Sequence, residues 1–211
     1  MTARSSAPTA LLVGAGVPLA EAIARRLRDA GLPLVEVSGL SEAAVSQALA
    51  AVDRLGALVI VTAPPALGTS MLEVDDAQLE ASLEQFLDLF GALHQALPRL
   101  EDGASVLAVS SRGHLGAWGG AHEMAFAGAI AGLLRSVALE NMARGVRANL
   151  IAVELPDTGV GSDPAEVADL AHYLLSPAAA AVNGELILAN GGRSLQMREA
   201  RDRRPAPAAA T

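Results

Sequence analysis

Residues 105–154 read SVLAVSSRGHLGAWGGAHEMAFAGAIAGLLRSVALENMARGVRANLIAVE, and the fold turns on how this stretch is parsed. An apolar run at 106–109 ends in Ser110-Ser111. A glycine-rich loop follows, then small and apolar residues at helical spacing over about 121–142. Arg144-Gly145 closes that helix, and 146–153 reads as a second buried strand. Strand, loop, long helix, short turn and strand in that order form a βαβ unit with both strands buried.

Helical and strand patterns alternate along the rest of the chain. This predicts an α/β fold: a Rossmann-like, doubly wound parallel sheet of about six strands with helices on both faces. The 211 residues are 52% hydrophobic with mean hydropathy +0.37, enough for one core. A single domain over 1–197 is expected, followed by a charged, Pro/Ala-rich tail at 198–211 that reads as disordered.

Composition narrows the function classes. The net charge is −8, with scattered basic residues and 2% aromatics, so nucleic acid is not an expected partner. With no cysteine there is neither a disulfide nor a thiolate metal site. His94, His114, His122 and His172 are separated and predict no metal centre; His114 and His122 flank a loop and are expected to be solvated. No apolar run is long enough to span a bilayer. The first sixteen residues have the outline of a signal peptide, but their apolar part reads as a strand ending in glycines. Cytoplasmic placement is expected.

Three runs carry a family resemblance: Ser110-Ser111 before the long helix, Gly132-Leu133…Arg135-Ser136-Val137-Ala138-Leu139-Glu140 followed by Gly145-Val146-Arg147-Ala148-Asn149, and Asn183-Gly184-Glu185…Asn190-Gly191-Gly192. Together they resemble the short-chain dehydrogenases/reductases over almost the whole chain. That resemblance implies a catalytic serine at Ser110 (or Ser111) and a Tyr-x-x-x-Lys pair on the long helix. Counted back from Gly132, the pair falls on Glu123 and Ala127. Glu123 lacks the phenol that exchanges a proton with the substrate oxygen, and Ala127 lacks the cation that lowers the phenol's pKa. The chain contains no lysine, and its one tyrosine is Tyr173. The family's asparagine on the preceding helix corresponds to Gln85.

The dinucleotide features are also altered. The family's glycine-rich turn corresponds to Gly14, Gly16, Pro18 and Ala20, between a strand at 10–13 and a helix at 21–30. Proline suits the first position of a helix, but it offers no N–H to a phosphate. The ribose-binding acid falls on Ser38 after a strand at 34–37, and Glu36 lies in mid-strand. Ser41 reads as the N-cap of a helix reaching about 55, where the family fits a further βα unit. After a strand at 58–61, Thr62-Ala63-Pro64-Pro65 stands in place of Asn-Asn-Ala-Gly. A helix over 75–97 carries the apolar repeat Leu79, Leu83, Phe86-Leu87, Phe90, Leu93, Leu97. Thr158 matches a family threonine, but the substrate-covering segment is cut short before a helix opened by Asp163-Pro164.

The resemblance and its gaps together imply a catalytically inactive subunit, a pseudoenzyme with no cofactor of its own. It would assemble as a hetero-oligomer with an active NAD(P)-dependent paralogue, or as a homo-oligomer, through helices 75–97 and 121–142. The two-subunit hydroxyacyl-CoA dehydrogenases are similar in this respect. Two other readings use the same fold: an enzyme of non-nicotinamide mechanism built on Ser110 and Glu123, and a ligand-sensing regulatory protein.

Overall fold

Alternating side chains on each strand build two cores, one on either face of a sheet. On β1 (Thr9–Ala15), Leu11 and Val13 face one side and Leu12 the other; on β3 (Leu55–Val61), Leu58 and Ile60 oppose Val59 and Val61. The structure, a computed structural model, describes residues 8–154 and 162–195. Thr158, the shortened segment around it and the tail at 198–211 lie outside the described residues.

Four further strands complete the sheet: β2 (Leu34–Ser38), β4 (Leu100–Ser111), β5 (Arg147–Val153) and β6 (Leu186–Ala189). The order is β2-β1-β3-β4-β5-β6, and every pair is parallel. Helices α1 (Pro18–Asp29) and α5 (Pro164–Leu175) cover one face. On the other face lie α2 (Glu42–Ala50), α3 (Asp76–Ala96) and α4 (Ala121–Glu140). This is the expected doubly wound arrangement, and among the described residues no further strand lies beyond β2, which forms one edge.

Several boundaries move from the sequence reading. Helix α1 starts at Pro18, which occupies the first helical position as its missing N–H allows. Helix α2 stops at Ala50, because Leu55 already belongs to β3 and pairs with Thr9 and Leu100. Ser41 sits at the N-cap of α2 without making a side-chain cap bond, whereas Asp163 caps α5 by accepting from the Ala165 amide at 2.8 Å. Helix α4 ends at Glu140; a single 3₁₀ turn, Met142–Arg144, then reaches Gly145, whose φ of +67° closes it.

Most of the apolar repeat on α3 faces the other way from the core, Leu93 excepted and Phe86 and Leu97 packing at its edge. Leu89, Ala92, Leu93 and Ala96 are buried, but Leu79, Leu83, Leu87 and Phe90 are 47% to 64% exposed. Phe86 packs edge-on against Phe126 of α4, with ring centroids 6.5 Å apart. That contact sets the ridge of large residues beside a stripe of small ones on α4. Ala125, Gly132 and Ser136 are exposed, and a Cβ built on Gly128 or Gly132 would meet nothing within 4 Å. Close approach of α4 to its own sheet therefore does not account for either glycine.

Candidate functional site

In an open parallel sheet, ligands bind beyond the carboxyl ends of the strands, near the point where the winding reverses. Here that point lies between β1 and β3. Two polar pairs lie at the carboxyl ends of the strands, each next in register to a strand pair. Val61 pairs with Val109, and the following residues are Thr62 and Ser110. Ser111 pairs with Val153, and the following residues are Arg112 and Glu154.

Both pairs are closed. The Thr62 hydroxyl donates to Ser110 Oγ at 3.0 Å, and both residues are buried. Ser111 Oγ instead accepts from the Gly113 amide at 3.3 Å, stabilising the turn before α4. Of the two serines, Ser110 is the one that faces a polar partner across the strand ends. Arg112 Nε lies 2.5 Å from Glu154 Oε1, and the Glu154 side chain is 1% exposed. Asn190 Nδ2 donates to its other oxygen at 3.4 Å. The sequence reading missed this ion pair, though the register of β4 and β5 contains it.

The two positions implied for tyrosine and lysine are both buried. Glu123 lies in the first turn of α4, where burial is the largest influence and holds its carboxyl above the ordinary carboxylate range. His122 beside it and a hydrogen bond from the Ala66 backbone pull the other way. Ala127 packs against Gly113: a Cβ built on that glycine would come within 2.9 Å of Ala127 Cβ and 2.7 Å of Met124 Sδ. The turn after β4 therefore fills the space a lysine stem would need. Gln85 is half-buried on α3.

The expectation that His114 and His122 are solvated is corrected. His122 is buried and His114 half-buried, and neither Nδ1 has a hydrogen-bond partner among the described residues. Desolvation, then the nearby Arg112 and Arg135, hold the His114 imidazole below its ordinary range. His122 sits in the first turn of α4, four residues before Phe126, which faces α3. Among the described residues no group of side chains could hold a metal ion, and no helix is long and apolar enough to cross a membrane.

The residues at the nucleotide end do not fit a dinucleotide. Gly14 survives for a packing reason: with φ +96°, its Cβ would lie 2.1 Å from the Val61 carbonyl oxygen. Pro18 supplies no N–H at the start of α1, and Ala20 is fully buried in the core beneath it. Ser38 is exposed and carries no carboxylate; Glu36, also exposed, is ion-paired with Arg28 of α1. Two clefts, of about 480 and 360 Å³, open at the amino ends of the strands, away from all of these residues.

The family-like runs that remain are structural. Arg147 donates to the Leu174, Ser176 and Ala179 carbonyls at and beyond the end of α5, and Asn149 bonds both the Val182 carbonyl and the Glu185 amide. Asn183 accepts from the Ala148 amide at 2.9 Å. These contacts join β5, α5 and β6.

Comparison with known proteins agrees with this architecture. Residues 19–163 match the family model described as enoyl-(acyl carrier protein) reductase. Among solved structures, a glucose/ribitol-type short-chain dehydrogenase/reductase from Brucella melitensis is 23% identical with a TM-score of 0.75; the match covers 88% of this chain and 95% of that one. A 3-ketoacyl-(acyl-carrier-protein) reductase from the same organism, complexed with NADH, is 18% identical with a TM-score of 0.79 over 90% and 99%. A dehydrogenase/reductase from Sinorhizobium meliloti is 20% identical at 0.76, covering 89% and 95%. No curated protein matches the sequence. On the family match and the parallel six-stranded sheet, this chain belongs to the short-chain dehydrogenase/reductase family.

Proposed function

We propose that this chain is a non-catalytic subunit that assembles with an active NAD(P)-dependent member of its own family. The observation that carries the reading is the uncovered ridge Leu79, Leu83, Leu87 and Phe90 beside the small-residue stripe of α4. Monomers rarely leave so continuous an apolar face open to water, whereas interfaces use them. Large residues on one helix and small ones on the next are self-complementary in shape, so a related subunit can seat its ridge in this groove. Support for inactivity comes from Glu123 and Ala127 at the catalytic positions and from Gly113 packed over Ala127. An acyl thioester, such as a hydroxyacyl-CoA, is the substrate class we propose for the partner. The family description and the resemblance to two-subunit hydroxyacyl-CoA dehydrogenases support it.

Gly128→Leu tests the interface. Space around Gly128 is open, and leucine is about 0.5–1 kcal/mol better than glycine in a helix interior. The isolated variant should therefore be at least as stable as the parent chain. Its complex with a co-expressed family member bearing Tyr-x-x-x-Lys should weaken at least about tenfold, or 1.4 kcal/mol. Size-exclusion chromatography and circular dichroism read both quantities. An unchanged complex would move the interface to the β6 edge, Leu186–Ala189.

One observation favours a second reading, an enzyme of non-nicotinamide mechanism on Ser110 and Glu123. A buried carboxyl held above its ordinary range suits a general acid. Hydrolysis of a panel of esters and thioesters, lost in Ser110→Ala and Glu123→Gln, would select it.

A further inference from the structure

The exposed ridge of α3 has a charged border. Asp76, Glu80, Glu84 and Asp88 recur every four residues and so form one row along the helix. Glu80, Glu84 and Asp88 each follow a ridge leucine by one position. Asp76, Glu80 and Glu84 are exposed and Asp88 is half-buried. Among the described residues none of the four is ion-paired. Like charges four residues apart repel on a helix surface, so the row works against α3. Only Asp76, in the first turn, is favoured by the helix dipole.

The neighbouring helices do not offset this charge. Helices α2, α3 and α4 together contain one arginine, Arg135, and the chain contains no lysine. Arg135 is exposed on α4, and its Nε donates to the Gly184 carbonyl at 3.4 Å. On the opposite face of the sheet α1 alone carries Arg25, Arg26 and Arg28. The unpaired acids therefore lie on the same face of the molecule as the uncovered leucines.

Two identical copies meeting across a two-fold axis use the same patch on each. Both acid rows would then border one seam, and each copy would bring Arg135 as the only arginine on its α2, α3 and α4. Shape favours such a pair and charge opposes it, because juxtaposed like charges exclude a partner that otherwise fits. We infer that the acid row selects the partner: the α3–α4 face rejects a second copy of this chain and accepts a family member presenting arginine or lysine along the matching helix. The inference rests on the assembly reading above and adds the chemistry of the partner's surface.

A charge-reversed copy of the full chain, Glu80→Lys with Glu84→Lys and Asp88→Lys, serves as the probe. It keeps the ridge and the small-residue stripe, and circular dichroism checks that it stays helical. In sedimentation velocity at low ionic strength, parent mixed with this variant should associate at least about tenfold more tightly than either does with itself. High salt should narrow that gap. The neutral variant Glu80→Gln with Glu84→Gln should self-associate more tightly than the parent. Adding Gly128→Leu to the charge-reversed copy should remove its binding to the parent, since the contact lies on this face. A mixture that associates no more tightly than the parent alone would overturn the inference. In that event, a co-expressed complex still weakened by Gly128→Leu retains the assembly reading, and one left unchanged removes both.

Discussion

Glu154→Ala should be the most damaging single substitution at the strand ends, lowering stability by about 3–5 kcal/mol. The carboxylate is 1% exposed and sits 2.5 Å from Arg112, so removing it strands a guanidinium against the sheet. For a chain of this size that is a loss of about 6–20 °C in Tm, at about 2–4 °C per kcal/mol. Replacing both partners with apolar residues of similar volume, Arg112→Met with Glu154→Leu, should recover part of the loss, because the unpaired charge is then gone while the buried Asn190 amide still lacks its acceptor. Removing Asp169 from its exposed pair with Arg26 should cost less than about 1 kcal/mol. Thermal unfolding of the parent and these variants checks the order. If Glu154→Ala unfolds within about a degree or two of the parent, the pair is not a structural element of the crevice.

Restoring the family residues should harm the fold without conferring activity. General acid–base groups contribute about 10²- to 10⁴-fold to a rate, but only where substrate and cofactor are already held. Ala127 is buried against Gly113, so a lysine there overpacks the turn, at about 1–3 kcal/mol, and buries a charge as well. A tyrosine at Glu123 forces a larger ring into a buried position in the first turn of α4. The double variant Glu123→Tyr, Ala127→Lys should lose at least about 3 kcal/mol and show no oxidation or reduction of a carbonyl substrate with either nicotinamide cofactor. A variant as stable as the parent that turned over such a substrate would contradict the packing described for both positions.

How much of this was legible beforehand follows from the kind of interaction involved. Buried parallel strands write themselves as largely apolar runs, so β3, the second half of β4 and β5 were readable, and the glycines that punctuate them marked the turns. The outward face of α3 was not. Its core side is made partly of alanines, Ala92 and Ala96, which a search for large apolar residues passes over. Leu79, Leu83 and Leu87 gave the stronger periodic signal, although they face solvent. His122 is buried at the start of α4, which its position beside a loop did not reveal. Thr62–Ser110 and Arg112–Glu154 needed the strand register, after which each is simply the next pair along. The loop after β3 is held to Gly119 through the Gly68 and Thr69 backbone amides, and any residue but proline carries those. Only the Gly119-Gly120 pair left a trace of it in the sequence.

The proposal that this chain carries no cofactor of its own rests on the nucleotide end of the sheet. Pro18 donates no hydrogen bond there, Ala20 is packed into the core, and the Glu36 carboxylate is already paired with Arg28. Calorimetric titration of the purified chain with NAD⁺, NADH, NADP⁺ and NADPH probes all three at once. No saturable heat is expected below about 1 mM, corresponding to less than about 4.1 kcal/mol of binding free energy. Micromolar affinity for any of the four would contradict it and return this chain to the cofactor-binding members of its family.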